Sequence, residues 1–328
     1  GAEFYVPQPI DQPVTPGTFT LKVQTENGSR PGMRVVNIEG GTIFMQRQGK
    51  ALHEFLYTDT EAAYTAARIS LLSSHLLKSP VEMAIRNATS TDEGDRLLIV
   101  NEDDGSIACY TLLRSQKVIA PTEWTTDGEF LSVGVDVDDA YTVVKRTVGG
   151  SDVYYVELFD EDLELDCAKE ADVASSTASV SGLSYLEGKT LKVIRDGVIE
   201  SDKTVSSGSV TFTRAATENY QVGLNFVPLI KTLPVAPRTQ AGSIRGAEKR
   251  VFQVIVDLFE TQSLSVQGRE IAFRNFGEDV LDQPVGEYTG LKKIESLLGY
   301  DREGAITITQ SVPLKMTVLG IEYKVSVG

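Results

Sequence analysis

Carboxylates are the chemistry this sequence offers most freely. Asp136, Asp138 and Asp139 fall within four residues, and Asp160, Glu161 and Asp162 are consecutive. Clustered hard oxygens suit calcium, and two acids flanking a sugar linkage can hydrolyse it. If the segment is a strand, alternation along Asp136-Val137-Asp138 puts both acids on one face. Neither cluster has the ligand spacing of a twelve-residue calcium loop. A chain with 46 acids against 31 bases produces such runs by chance. Both clusters read as solvated loops, with acids at strand ends discouraging edge pairing. Residues 101–105 (NEDDG) read as a hairpin turn.

Nucleophilic chemistry has less material. His53 and His75 are the only histidines, they lie on different elements, and no serine or cysteine constellation surrounds them. His75 reads as a core or capping residue. There is no Walker loop, no glycine-rich dinucleotide fingerprint and no cysteine–histidine zinc spacing. Cys109 sits in an apolar run as a small core residue, and with Cys167 it makes no disulfide framework. The 12 Phe, 12 Tyr and single Trp form no cluster in sequence, and Trp124 alone makes no sugar platform. The expectation is no catalytic, cofactor-binding or metal site, no cofactor, and no enzyme.

The elements that would position these groups are β. Apolar or alternating runs flank a glycine turn at residues 42–57, 97–110 and 141–156, and each reads as a hairpin. The turn glycines Gly49, Gly105 and Gly150 lie 56 and 45 residues apart. A hairpin recurring at about that interval is the mark of propeller blades, which bury their faces by stacking. Three blades do not close a propeller, so upstream blades are expected to be missing. Residues 1–4 (GAEF) read as a cloning remnant, and a chain starting at Tyr5 reads as part of a longer polypeptide. Residues 69–77 suggest the one helix, with Ile69, Leu72, Leu76 and Leu77 on one face and Pro80 ending it. Residues 128–135 supply an inner strand of the third blade.

Residues 160–166 are acidic and 174–179 small and polar, which reads as a linker or exposed loop. From Gly182 short strands follow closely, at 190–195, near Val198, at 210–213 and at 220–224, around Asp196-Gly197 and Ser207-Gly208 turns. Pro234 and Pro237 punctuate their end. After Arg245-Gly246, residues 250–259 alternate as a long strand with one solvated face, and 305–309 and 315–323 add two more. The predicted fold is all-β: a partial β-propeller over 5–165, a small β-barrel-like module over 166–235, and a C-terminal β-sandwich over 236–328.

Several segments resemble one family. Residues 41–57 (GTIFMQRQGKALHEFLY), 124–133 (WTTDGEFLSV), 182–190 (GLSYLEGKT) and 222–226 (VGLNF) are similar, in order, to segments of tail tubular protein B, the tail nozzle family of short-tailed bacteriophages. Residues 301–308 (DREGAITI) and 312–319 (VPLKMTVL) fit the end of such proteins. The resemblance implies a propeller-bearing structural subunit of a hexameric tube that carries DNA out of the virion, with other tail subunits as partners. A piece lacking blades is expected to be monomeric or weakly associated. A glycan- or receptor-binding tail module is the alternative, and a tail-associated glycan hydrolase stands behind it. The net charge of −15 repels phosphate backbones, which argues against DNA retention along the surface. No leader and no spanning apolar run stand in the sequence, so cytoplasmic synthesis without a membrane anchor is expected.

Overall fold

The computed structural model describes all residues except 8–12, 61, 92, 237, 240, 241, 275, 276, 278–282, 296–298 and 328. The chain is all-β and falls into two compact units, residues 1–160 and 161–328. Its several sheets include no closed barrel among the described residues, so the barrel-like module is corrected to open sheets. Pro237 lies outside the described residues.

The first unit holds three consecutive antiparallel meanders. The first sheet pairs Val36–Ile38, Gly41–Met45, Leu52–Thr58 and Ala63–Arg68 in chain order. The second pairs Pro80–Arg86, Asp95–Asn101, Ile107–Leu113 and Val118–Trp124, and the third Glu129–Asp136, Asp139–Val148 and Ser151–Leu158. All three hairpins expected from the turn glycines form. Met45 pairs with Leu52, Val100 with Ile107 and Val148 with Ser151, and each turn glycine has positive φ.

Burial explains the composition of the second sheet. Leu97 and Ile99 pack with Ile43, Met45 and Leu52 of the first sheet. Leu98 and Val100, pointing the other way, pack with Phe130, Val133 and Val144 of the third. A strand buried on both faces reads as a continuous apolar run, and residues 97–100 (LLIV) are one. Each such side chain contributes roughly 1.5–3 kcal/mol on burial.

Two local expectations are corrected. Only one 3-10 turn, Ser74–Leu76, forms where a helix was expected. Leu76 and Leu77 are buried but Leu72 is 92% exposed, so no amphipathic face exists. Ser70 accepts the Leu52 N–H at 2.9 Å, and the Ser73 hydroxyl meets the Tyr110 hydroxyl at 3.0 Å. Serines bonded outward in this way compete with helical pairing. Near the start of the chain Glu3–Tyr5 pairs with Lys22–Thr25, and the Glu3 carboxylate accepts the Asn27 and Gly28 N–H groups. Within 174–179, Thr177 onward is a strand, Thr177–Ser181, paired with Ser209–Ala216 rather than a free linker.

The second unit contains two cores. Leu183, Leu186, Val193, Val210 and Val222 form one. Val254, Val256 and Leu258, from the long strand Lys249–Thr261, form the other with Ile294, Ile306 and Ile308. A carboxylate ties two turns of the first core together. Asp196, in the Asp-Gly turn, accepts the Thr217, Glu218 and Asn219 N–H groups at 2.8–3.1 Å. Burial pushes the Asp196 carboxyl up, but those backbone donors and the Thr217 hydroxyl outweigh it and hold it at about 2, below an ordinary 3.8. A depressed folded pKa gives stability that is present above the unfolded value and lost as pH falls through the folded one. Replacing Asp196 with asparagine is expected to cost roughly 1 kcal/mol at neutral pH, discounted for solvent screening. It should also flatten the loss of stability between about pH 4 and pH 2 in acid titration followed by circular dichroism.

Candidate functional site

The third sheet has one covered face and one open face. Phe130, Val133, Ala140 and Val144 point into the core shared with the second sheet. The opposite parity places Tyr141, Val143 and Lys145 beside Leu158, Val156 and Tyr154, in that order along the ladder. Tyr154 is 63% exposed, Val156 74% and Leu158 47%, with Tyr141 and Leu131 also exposed. Leu131 reaches this surface through a bulge, where the register slips between Phe130 and Ser132. Just past the bulge, Ser132 pairs with Val143, and its hydroxyl and the Val133 N–H both donate to Glu82 of the second sheet, at 2.6 and 3.1 Å. The open surface is an apolar strip with a tyrosine towards each end.

Charged groups frame it. Lys145 sits beside Tyr154 and meets Asp152 at 3.4 Å and Glu129 at 3.6 Å. Its ammonium is held above the usual lysine value, first by the Asp152 hydrogen bond and then by the charges of Asp152 and Glu129. At the other end the Tyr141 hydroxyl donates to Asp139 at 3.4 Å. The Asp139 carboxylate pushes that phenol up, with Asp136 adding to it. Tyrosines and carboxylates on an open sheet face offer ring faces for stacking and acceptors for hydroxyl groups.

The sequence-level candidates land as follows. Asp136 and Asp139 pair across a two-residue turn of Val137 and Asp138, and Val137 has φ 56°. Asp138 is therefore in the turn, not on one strand face with Asp136, and all three acids are exposed. Among the described residues no three metal-ligating side chains converge. His53 is buried, its ring stacked on Phe44 at 5.5 Å, while His75 is exposed on the 3-10 turn Ser74–Leu76 rather than in the core. The Cys109 thiol is buried and pushed up to about 11 by that burial, as a core residue would be. Glu164 is the described carboxyl held above its usual range. Burial raises it and the charge of Lys315 opposes the rise. In the second unit a shallow groove of about 400 Å3 runs past Ile199, Phe273, Arg274 and Leu314. Sequence reasoning missed the tyrosine face because alternation in residues 153–158 marks two faces without saying which is covered.

No protein-family model matches the chain, and no curated protein is similar to it. Among solved structures it is similar to exo-β-1,3-galactanase from Phanerochaete chrysosporium. One variant with bound β-1,3-galactotriose is 13% identical over 87% of this chain and 65% of that chain, with a TM-score of 0.23. A second variant with the same sugar is 12% identical over 94% and 73%, at 0.25, and the enzyme with galactose 13% over the same shares, at 0.24. Likeness at these values assigns no activity and no substrate to this chain. It does overturn two expectations, the tail-tube subunit and the absence of enzymatic activity. The solved structures named here are glycoside hydrolases rather than tail proteins, and neither expectation is carried further.

Proposed function

We propose that the chain is a glycan-binding β-module, whose first unit is a partial propeller of three blades and whose ligand surface is the open face of the third. The observation that carries this reading is the pair of exposed tyrosines, Tyr141 and Tyr154, on one uncovered face beside hydrogen-bonding carboxylates. Exposed apolar surface rimmed by polar groups marks an interaction site. Tyrosine offers a rigid, amphipathic ring at low entropic cost. The meander order of the three sheets, with the middle one covered on both faces, supports the blade reading. The segment resemblance to the nozzle family points to display on a virion, where cell-surface glycans would be met.

A glycan array probed with the whole chain tests the reading. Binding is expected, and Tyr154→Ala should weaken it about three- to ten-fold, the worth of one aromatic contact. The melting temperature should stay within about one degree, because the ring is exposed and surface changes are nearly neutral. Binding unchanged in Tyr154→Ala would move the site elsewhere, and no binding to any glycan would end the proposal. The same incubations, with β-1,3-galactan included and assayed for released reducing ends, would show any turnover.

A further inference from the structure

The open face differs at its ends in a way that selects among glycans. We infer that its ligand is an extended neutral oligosaccharide chain long enough to stack on Tyr141 and Tyr154 together, and that anionic glycans are refused. This rests on the glycan-binding reading above.

The spacing comes from the ladder. Tyr154 stands opposite Lys145, four residues along the strand from Tyr141, and Tyr141 stands opposite Leu158. At about 3.3 Å per residue the two rings are rooted roughly 13 Å apart along the strand. Between them lie Val143 and Val156, paired and on the same face, with Leu131 on the neighbouring strand. The one hydroxyl beside that strip, on Ser132 opposite Val143, is already donated to Glu82 at 2.6 Å, so a sugar there gains mainly contact area. Orientation must come from the ends, where Asp139 and the Lys145–Asp152 pair supply polar atoms. Two ring platforms joined by an apolar strip behave as linked subsites. A ligand reaching both gains from effective concentration, whereas a short one engages a single ring.

Charge sets the exclusion. The outward parity of the three strands presents Glu129, Asp136, Asp139 and Asp152 against one cation, Lys145. Lys145 is already engaged by two of those carboxylates. A uronate or sulfated chain laid on this face meets unscreened like charge and finds no free cation among these strands. Such repulsion weakens with salt, since exposed charges are screened beyond about 10 Å at 0.1 M.

Titration calorimetry of the whole chain with cello-oligosaccharides from disaccharide to hexasaccharide, and with oligogalacturonates of matched length, tests both parts. Affinity for the neutral series should rise about ten-fold or more with length and then level off. Tyr141→Ala and Tyr154→Ala should each remove that rise while leaving disaccharide binding within a few-fold. Oligogalacturonates should bind at least about ten-fold more weakly at low salt, with the gap narrowing at 0.5 M. Equal or tighter binding of the uronates, or a neutral series without length dependence, overturns the inference while leaving a glycan-binding surface in place. Failure of both series to bind, with Tyr154→Ala shifting the sedimentation coefficient instead, overturns it together with the reading beneath it and assigns the face to a second copy of this chain.

Discussion

Replacing Arg146 with alanine is expected to destabilise the first unit by about 3–5 kcal/mol, the cost of breaking a buried ion pair from one side. The Arg146 side chain is fully buried on the covered face of the third sheet. Its Nε and Nη2 donate to the two Glu157 oxygens at 2.7 Å each, and its Nη1 donates to the Asp127 carbonyl at 3.0 Å. Removing it strands the Glu157 carboxylate, whose side chain is 17% exposed, and leaves a hole the size of a guanidinium. Calorimetry should show the transition of this unit falling on the order of 10 °C. The double variant Arg146→Met with Glu157→Leu should recover most of the loss, because a buried pair exchanged for apolar groups of similar volume is often neutral or better. A single variant within about 1 kcal/mol of the parent would show that the pair contributes nothing here.

The second large effect belongs to Gly105, in the turn that seats the third sheet on the second. Its φ is +63°, and its carbonyl accepts the Phe130 N–H at 2.8 Å. A Cβ built there would stand 2.6 Å from Glu129 Cβ and 2.8 Å from Glu129 Cα. A rotamer change cannot relieve contacts of that kind, so backbone must move. Gly105→Ala should cost about 3 kcal/mol or more, combining overpacking of 1–3 kcal/mol with left-handed strain of about 1. Gly149→Ala is the control. That turn has φ +58° but nothing within 4 Å of the added carbon, so only the strain of about 1 kcal/mol remains. Chemical denaturation of both variants separates the two terms. Equal losses would mean that the close approach at Gly105 is relieved at no cost.

Much of the first unit was legible because its signals are local. Glycines at positive φ, β-branched runs and short polar turns specify a hairpin within about fifteen residues, and all three hairpins stand where those signals put them. The apolar run at residues 97–100 reads in sequence only as one arm of a hairpin, and its burial on both faces is seen in the fold. The helix at residues 69–77 was misread because leucine spacing fits one face, whereas Ser70 and Ser73 spend their hydroxyls on Leu52 and Tyr110. Partners 18 and 37 residues away are not written in the segment itself.

The sequence alone determined the β class, the three hairpins at their turn glycines, and a net charge of −15. The tertiary structure decided which faces are covered. Residues 153–158 alternate between two faces, yet Val153, Tyr155 and Glu157 turn inward while Tyr154, Val156 and Leu158 are left in solvent. Period-two alternation fixes that a strand has two sides, and an apolar residue suits either a core or a binding surface. Covering one of them depends on a sheet contributed by residues some 50 positions earlier, and no local pattern encodes that distance. The same holds for Arg146, which in sequence is one basic residue among many and in the fold is a buried cation answered by Glu157 on the neighbouring strand.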